Sequence, residues 1–335
     1  MTGATEQMLA QWRARADAGA PLDVFQEMMR LTLRLALQTL LGTSADADLV
    51  KLSVTVTEIL VRTNDIITNP LYPPLWLPLP RSVSFKRAVR DLDEFVYRTI
   101  AARRAGGGNA TDLLSMLLAA RDDQTGQGMS DQQLRDEAVT TLIAGHETTA
   151  NALTWALYLV SEHADVREAL RAELTAVLGG RTPTFDDLPR LRYTRAVLDE
   201  TMRLYPPAWM ISRRAIEADQ IGPYDIAPGE FVLISPYLLH RNPDLWDDVL
   251  RFDPQRFLDG RADALPKCAY MPFGAGPRFC IGATFALIEA TLVLATVARR
   301  VDLSVIPGFP VVPYAMITLR PRHGLKMTPR FVGDR

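Results

Sequence analysis

The chain has 335 residues, 48% of them hydrophobic and 23% charged, with a net charge of −2. That is apolar material for a sizeable core in one large domain or two, and the balanced charge gives no overall basic footprint for nucleic acid or an anionic membrane. Two cysteines, Cys268 and Cys280, are too few for a disulfide framework and suit a reducing compartment.

The first nineteen residues, MTGATEQMLAQWRARADAG, are polar and Ala-rich and do not read as a signal peptide. The first strong helix is expected over residues 22–41, where Val24, Met28, Leu31, Leu35 and Leu40 fall near a 3.6-residue period and Gly42 follows as a C-cap. A second helix covers 46 to about 64. The most apolar window, 70–80, holds five prolines and cannot cross a membrane as a helix, so no span is expected and the chain reads as cytoplasmic. A third helix is expected over 82–104, stopped by the glycines at 106–108. A short fourth runs from a Thr111 cap to near Ala120, and 122–128 is a polar turn.

The longest periodic segment covers 130 to about 161, opened by Ser130 and Gln133 at capping-box spacing. A helix of that length crosses roughly 45 Å at ~1.5 Å per residue. Its centre, Ala144-Gly145-His146-Glu147-Thr148-Thr149, is polar and holds a glycine that costs about 1 kcal/mol against Ala in a helix interior. Room for a ligand beside the helix would offset that cost. A solvent-exposed polar face is the plainer explanation, weakened by the apolar residues Leu142, Ile143, Leu153, Trp155 and Ala156 around the patch.

Further helices are expected over 165–178 and 188–204, the latter stopped by Pro206-Pro207. Within it Glu200 and Arg203 stand three apart, share a face and can pair; if buried, the pair requires a network. From 212 onward the pattern changes: 213–217 and 231–235 read as short strands, with turn signals at Gly222-Pro223 and Pro228-Gly229. Residues 242–260 are irregular, 281–300 helical, and the Pro- and Gly-interrupted tail 301–330 hairpin-like. The expected fold is mainly α with a small β portion, an α+β arrangement in a single domain over residues 1–335.

Between these last elements lies Phe273-Gly274-Ala275-Gly276-Pro277-Arg278-Phe279-Cys280-Ile281-Gly282. Its glycines let the backbone approach something bulky, and a rigid turn aims the Cys280 sulfur. A helix starting just beyond points its unpaired amides back toward that sulfur, a setting in which a thiolate serves a soft metal. A buried Cys acting as a small hydrophobe is the alternative on base rates, and Cys268 is read as a packing residue. Other chemistries fail on inspection. His146-Glu147 lacks the second His of a zinc-protease helix, since position 150 is Ala. Gly274-x-Gly276 lacks the third glycine of a dinucleotide loop, where Phe279 stands. No nucleophile elbow or Walker loop is present, and the histidines at 146, 163, 240 and 323 have no metal-ligand spacing.

Four segments in order resemble one family, the cytochromes P-450 or heme-thiolate monooxygenases. Ala144 to Thr149 resembles the oxygen-binding stretch of that family's long central helix. Glu200-x-x-Arg203 resembles its E-x-x-R pair, and Phe252-Asp253-Pro254-Gln255-Arg256-Phe257 the segment whose Arg joins that pair. Phe273-x-x-Gly276-x-Arg278-x-Cys280-x-Gly282 resembles its full heme loop. The resemblance covers about residue 22 to the C-terminus, as in a member shortened at its N-terminus and lacking the family's first strands and helices.

What the resemblance implies is specific. Cys280 is the thiolate ligand of the iron of heme b. Phe273, Gly274 and Gly282 frame it, and Arg278 and Arg213 contact the heme propionates. Ala144 and Gly145 leave space over the iron, while Thr148 and Glu147 order the proton path. Glu200, Arg203 and Arg256 are structural, and Ala208 borders the substrate cavity. The implied activity is insertion of one oxygen atom from dioxygen into a small apolar organic substrate. Electrons come from a separate partner: a ferredoxin, flavodoxin or reductase. A shortened member that lacks heme or does not turn over is the second reading, of a different class.

Overall fold

The computed structural model describes residues 1–43, 46–106 and 111–333. In chain order they form α1 (Thr2–Asp17), β1 (Leu22–Asp23), α2 (Val24–Leu40), α3 (Asp46–Thr68), α4 (Pro80–Arg104), α5 (Leu113–Ala119), α6 (Asp131–Glu162) and α7 (Ala164–Leu178). Then follow α8 (Arg192–Leu204), β2 (Ile211–Arg214), β3 (Asp219–Ile221), β4 (Tyr224–Ile226), β5 (Phe231–Ile234) and α9 (Pro236–Leu239). The chain ends with α10 (Ala283–Arg300), β6 (Val301–Val305), β7 (Pro313–Ala315), β8 (Leu319–Pro321) and β9 (Lys326–Phe331). The mainly helical fold with small sheets matches the expected class. The chain divides into two compact units, one of residues 25–150 and one of 2–24 with 151–335, and α6 passes from the first to the second.

The first unit packs α2 to α5 and the first part of α6 around an aliphatic core that includes Leu37, Leu92, Phe95, Val96, Leu134 and Leu142. The cap of α6 forms as its spacing demands: the Gln133 side chain accepts from the Ser130 amide at 2.8 Å, and Ser130 Oγ accepts from the Gln133 amide at 3.2 Å. Gly42 takes a left-handed φ of 59° just past α2. Residue 111 does not cap α5. Asp112 does, accepting from the Ser115 amide at 2.9 Å while pairing with the Arg103 guanidinium, a stronger acceptor than a neutral hydroxyl. Of the glycines expected to end α4, Gly106 is left-handed at φ 93°, and Gly107 and Gly108 lie outside the described residues.

The second unit contains the sheets. β9 is the middle strand of an antiparallel β1-β9-β6 sheet, with Leu22 opposite Met327 and Val301 opposite Phe331. β2 pairs antiparallel with β5, Ile211 opposite Ile234, and β3 with β4 across the Gly222-Pro223 turn. One stretch left without an expected element is assigned here, and two expectations are corrected. The polar N-terminal stretch is a helix, α1, which buries Met8, Leu9 and Trp12 and packs on α10 and β9. Residues 22–23 are strand rather than the start of α2. The helix expected over 188–204 is broken: Phe185–Arg190 is a 3-10 turn and α8 starts at Arg192. The turn wraps the Asp187 carboxylate, which accepts from the Thr184 amide at 2.9 Å and pairs with Arg181 and Arg190. Those side-chain bonds draw the backbone away from a continuous helix.

α10 carries a fully buried acid, Glu289, both of whose carboxylate oxygens lack a hydrogen-bond partner. Burial raises its pKa from 4.5 to about 8, so the native state holds this proton more tightly than the unfolded chain. The native form is therefore favoured at pH below the unfolded pKa, and that contribution is lost as pH rises toward the folded pKa. Urea midpoints of the wild type should fall more steeply from pH 4.5 to about 8 than those of Glu289→Gln. Parallel pH profiles would contradict this burial effect.

Candidate functional site

Candidate residues lie in both units. In the second, the cysteine loop closes on itself: the Cys280 amide donates to the Phe273 carbonyl at 3.0 Å, around a 3-10 turn at Gly276–Arg278. Gly274 and Gly276 have φ of 76° and 69°, values that L side chains rarely adopt, and this is why glycine stands at both. The ring 273–280 holds Cys280 two residues before the Gly282 cap of α10, with its thiol exposed. The alternative of a buried packing cysteine is thus excluded. Cys268 is also exposed, with φ of 69°, which corrects its reading as a packing residue.

Beneath this loop lies a buried ionic scaffold. Glu200 and Arg203 have no exposed side-chain surface and pair through two bonds, at 2.7 and 2.8 Å. Arg256 donates its Nε to Glu200 at 3.1 Å, and the Asp253 amide adds a bond at 2.9 Å. Two guanidinium groups on one carboxylate leave an uncompensated positive charge in the interior. Backbone carbonyls absorb it: Arg203 donates to His240 at 2.9 Å, Val249 at 2.8 Å and Arg251 at 3.0 Å, and Arg256 to Asp247 at 3.1 Å. The Trp246 ring faces both guanidinium groups, at 5.2 and 5.9 Å.

His240, one of the four histidines without metal-ligand spacing, joins this scaffold to the cysteine loop. Its carbonyl accepts from Arg203, and its ring Nε2 accepts from the amide of Met271, two residues before Phe273. Burial lowers its pKa to about 4, which keeps Nε2 an acceptor at neutral pH. Tyr270 adds a second tie, donating to the Asp199 carbonyl on α8 at 2.9 Å. The 270–271 segment that leads into the loop is therefore bound to α8 from two directions. Nothing in the sequence separated His240 from the other three histidines.

Around the loop, a Cβ on Gly274 would lie 3.7 Å from Ile211 Cδ1 of β2. Arg213, two residues on, shares the Ile211 face of that strand. Arg213 and Arg278 are both exposed, and among the described residues neither pairs with a carboxylate. Two free cations, an exposed thiol and the fully exposed Ile281 suit a flat apolar ligand that bears carboxylates and a soft metal. Heme fits that description. Ala208 is half-buried in a segment bound to β8 by the Leu319 amide and to the β7–β8 turn by Trp209, whose Nε1 donates to Met316 at 2.7 Å.

In the first unit, the polar centre of α6 divides by face. Ala144 is exposed and Gly145 and Thr148 half-exposed, whereas His146, Glu147 and Thr149 are buried. The Thr148 hydroxyl donates to the Ala144 carbonyl at 2.7 Å, and Thr149 does the same to Gly145 at 3.1 Å. His146 is set against the Leu142 carbonyl, and burial lowers its pKa to about 4, so it stays neutral. A Cβ on Gly145 would meet only Leu40 Cδ1, at an unstrained 3.5 Å. Packing within the unit therefore does not require this glycine.

Comparison with known proteins shows the family. The sequence profile of the cytochrome P-450 family matches residues 1–325. The chain belongs to that family. The match reaches the N-terminus, so the likeness is not confined to residues beyond 22. Cyclooctatin synthase of Streptomyces melanosporofaciens is 41% identical, over 92% of this chain and 67% of its own length. Cyclooctat-9-en-7-ol 5-monooxygenase of the same organism is 38% identical, over 91% of this chain and 66% of its own. The crystal structure of the cytochrome P450DA heme domain superposes with a TM-score of 0.89 at 28% identity, covering 99% of this chain and 72% of that one. The chain thus spans about two thirds of the length of these curated relatives.

Proposed function

We propose that the chain is a heme-thiolate monooxygenase that inserts one oxygen atom from dioxygen into an apolar organic substrate, with electrons from a separate ferredoxin, flavodoxin or reductase. The observation that carries the proposal is the exposed Cys280 thiol, held by a closed loop against a buried scaffold and flanked by unpaired arginines. Relatives named as a synthase and a monooxygenase support the reaction class.

Bound heme b would supply an iron centre for dioxygen activation and oxygen transfer. Cys280 Sγ would hold the iron, Phe273 would pack beside the sulfur, and Gly274 and Gly282 would leave room for the macrocycle. Arg278 and Arg213 would bind the propionates. Glu200, Arg203 and Arg256 do no chemistry; they keep the loop rigid, so that the sulfur is presented without reorganisation. On α6, Ala144 and Gly145 give clearance for oxygen and substrate. The Thr148 hydroxyl, with Glu147 beside it in sequence, holds the water that delivers protons. Ala208 borders the substrate. Among the described residues, no helix is long and apolar enough to cross a membrane.

Thr148→Ala tests the α6 assignment. Product formed per reducing equivalent should fall by roughly tenfold or more, with a matching rise in released peroxide and unchanged heme content. Unaltered coupling would remove Thr148 from the proton path.

A further inference from the structure

His240 is fully buried, yet one of its ring nitrogens is left unserved. The Met202 and Arg203 carbonyls favour its protonation, but burial outweighs them and the ring is neutral. Because the Met271 amide donates to Nε2 at 2.9 Å, the ring proton stands on Nδ1, which finds no acceptor in hydrogen-bond geometry. A buried donor without an acceptor is a cost that an apolar side chain of similar size does not carry. His146 and His163 differ: each is set against the carbonyl four residues back along its own segment. The His240 ring instead holds a segment 31 residues farther along the chain.

That segment is the entrance to the cysteine loop. Arg203 fixes residue 240 through its carbonyl at 2.9 Å, and the ring fixes the Met271 amide. The Met271 carbonyl accepts from the Gly274 amide at 3.0 Å, and the Phe273 carbonyl accepts from the Cys280 amide at 3.0 Å. These bonds form a series from the buried ion pair to the cysteine, and the His240 ring is the one side chain in its middle. Packing is the other account of the ring. Trp246 and Tyr270 stand 6.5 and 5.3 Å from it, centroid to centroid. A hydrocarbon ring would make those contacts as well and leave no nitrogen orphaned.

We propose that His240 is a positioning residue for the Cys280 sulfur. Its Nε2 sets where the chain enters the loop, and the closed loop sets where Sγ is presented. The consequence for iron ligation rests on the heme-thiolate reading proposed above. The hold on the loop does not.

Three variants separate the acceptor from the ring. His240→Phe keeps an aromatic ring and loses the acceptor; His240→Leu loses the acceptor at smaller volume, so overpacking does not decide the result. His240→Gln gives up the ring but carries an amide oxygen at about the reach of Nε2. Hydrogen exchange of the full chain without added heme is the first readout. The Met271 and Gly274 amides should exchange about tenfold faster in the Phe and Leu variants, and within about threefold of wild type in the Gln variant. The second readout is the carbon monoxide complex of the reduced, heme-reconstituted protein. Its thiolate-type band should decay at least about tenfold faster in the Phe and Leu variants at equal initial heme content, and Gln should restore the wild-type lifetime. Fast exchange in Gln but not in Phe would assign the ring to packing. That order, or the same behaviour in all three variants, would overturn the proposal. A wild type with no thiolate band would count against the proposed function, and the exchange order would still decide the hold of His240 on the loop.

Discussion

Arg203→Met should destabilise the protein by about 3–5 kcal/mol, the cost of stripping one partner from a buried ion pair. The change removes both bonds to Glu200, leaves the carbonyls of His240 and Val249 short of a donor, and leaves that of Arg251 only the 3.5 Å contact from Arg256. The remaining Arg256 cannot replace them, because its own amino groups are committed to Asp247 and Arg251. Urea unfolding at neutral pH measures the loss. Arg30→Met serves as the control: its pair with Glu27 leaves the Arg30 side chain 57% exposed, and it should cost less than about 1 kcal/mol. Equal effects at the two sites would mean that the scaffold beneath the cysteine loop is not a stabilising network.

Cys280→Ser should behave in the opposite way. The side chain is exposed, so unfolding free energy should move by no more than about 0.5 kcal/mol. Product formation should nevertheless fall to background, because a serine hydroxyl does not replace thiolate ligation of the heme iron. Paired measurement of urea stability and product yield separates this variant from Arg203→Met, which loses stability first. A Cys280→Ser protein with retained turnover would show that the sulfur is not the ligand.

These two variants also mark what the sequence made legible. Cys280, its glycines, the Glu200–Arg203 pair and the Arg256 segment can be read because side chains announce them. The partners that compensate their charge cannot, since the Arg203 and Arg256 acceptors at 240, 247, 249 and 251 are backbone carbonyls, and any residue type supplies one. His240 acts through its carbonyl and one ring nitrogen, neither of which its spacing reveals. α6 was legible from its capping box and length. α1 was not, because only a few residues such as Leu9 and Trp12 hold a polar helix in place. The short strands β1, β3 and β4 offer two or three residues each, too few for alternation to register. At 188–204 the helical pattern was genuine from Arg192 onward, but Asp187 and its ion pairs fixed a separate turn before it.

The proposed function rests on Cys280 presenting a thiolate to heme iron in this chain. The carbon monoxide difference spectrum of the reduced protein, recorded after reconstitution with heme, tests it most directly. The structure predicts a band characteristic of thiolate ligation in the wild type that is lost in Cys280→Ser. Failure to bind heme, or the same band in both proteins, would contradict it.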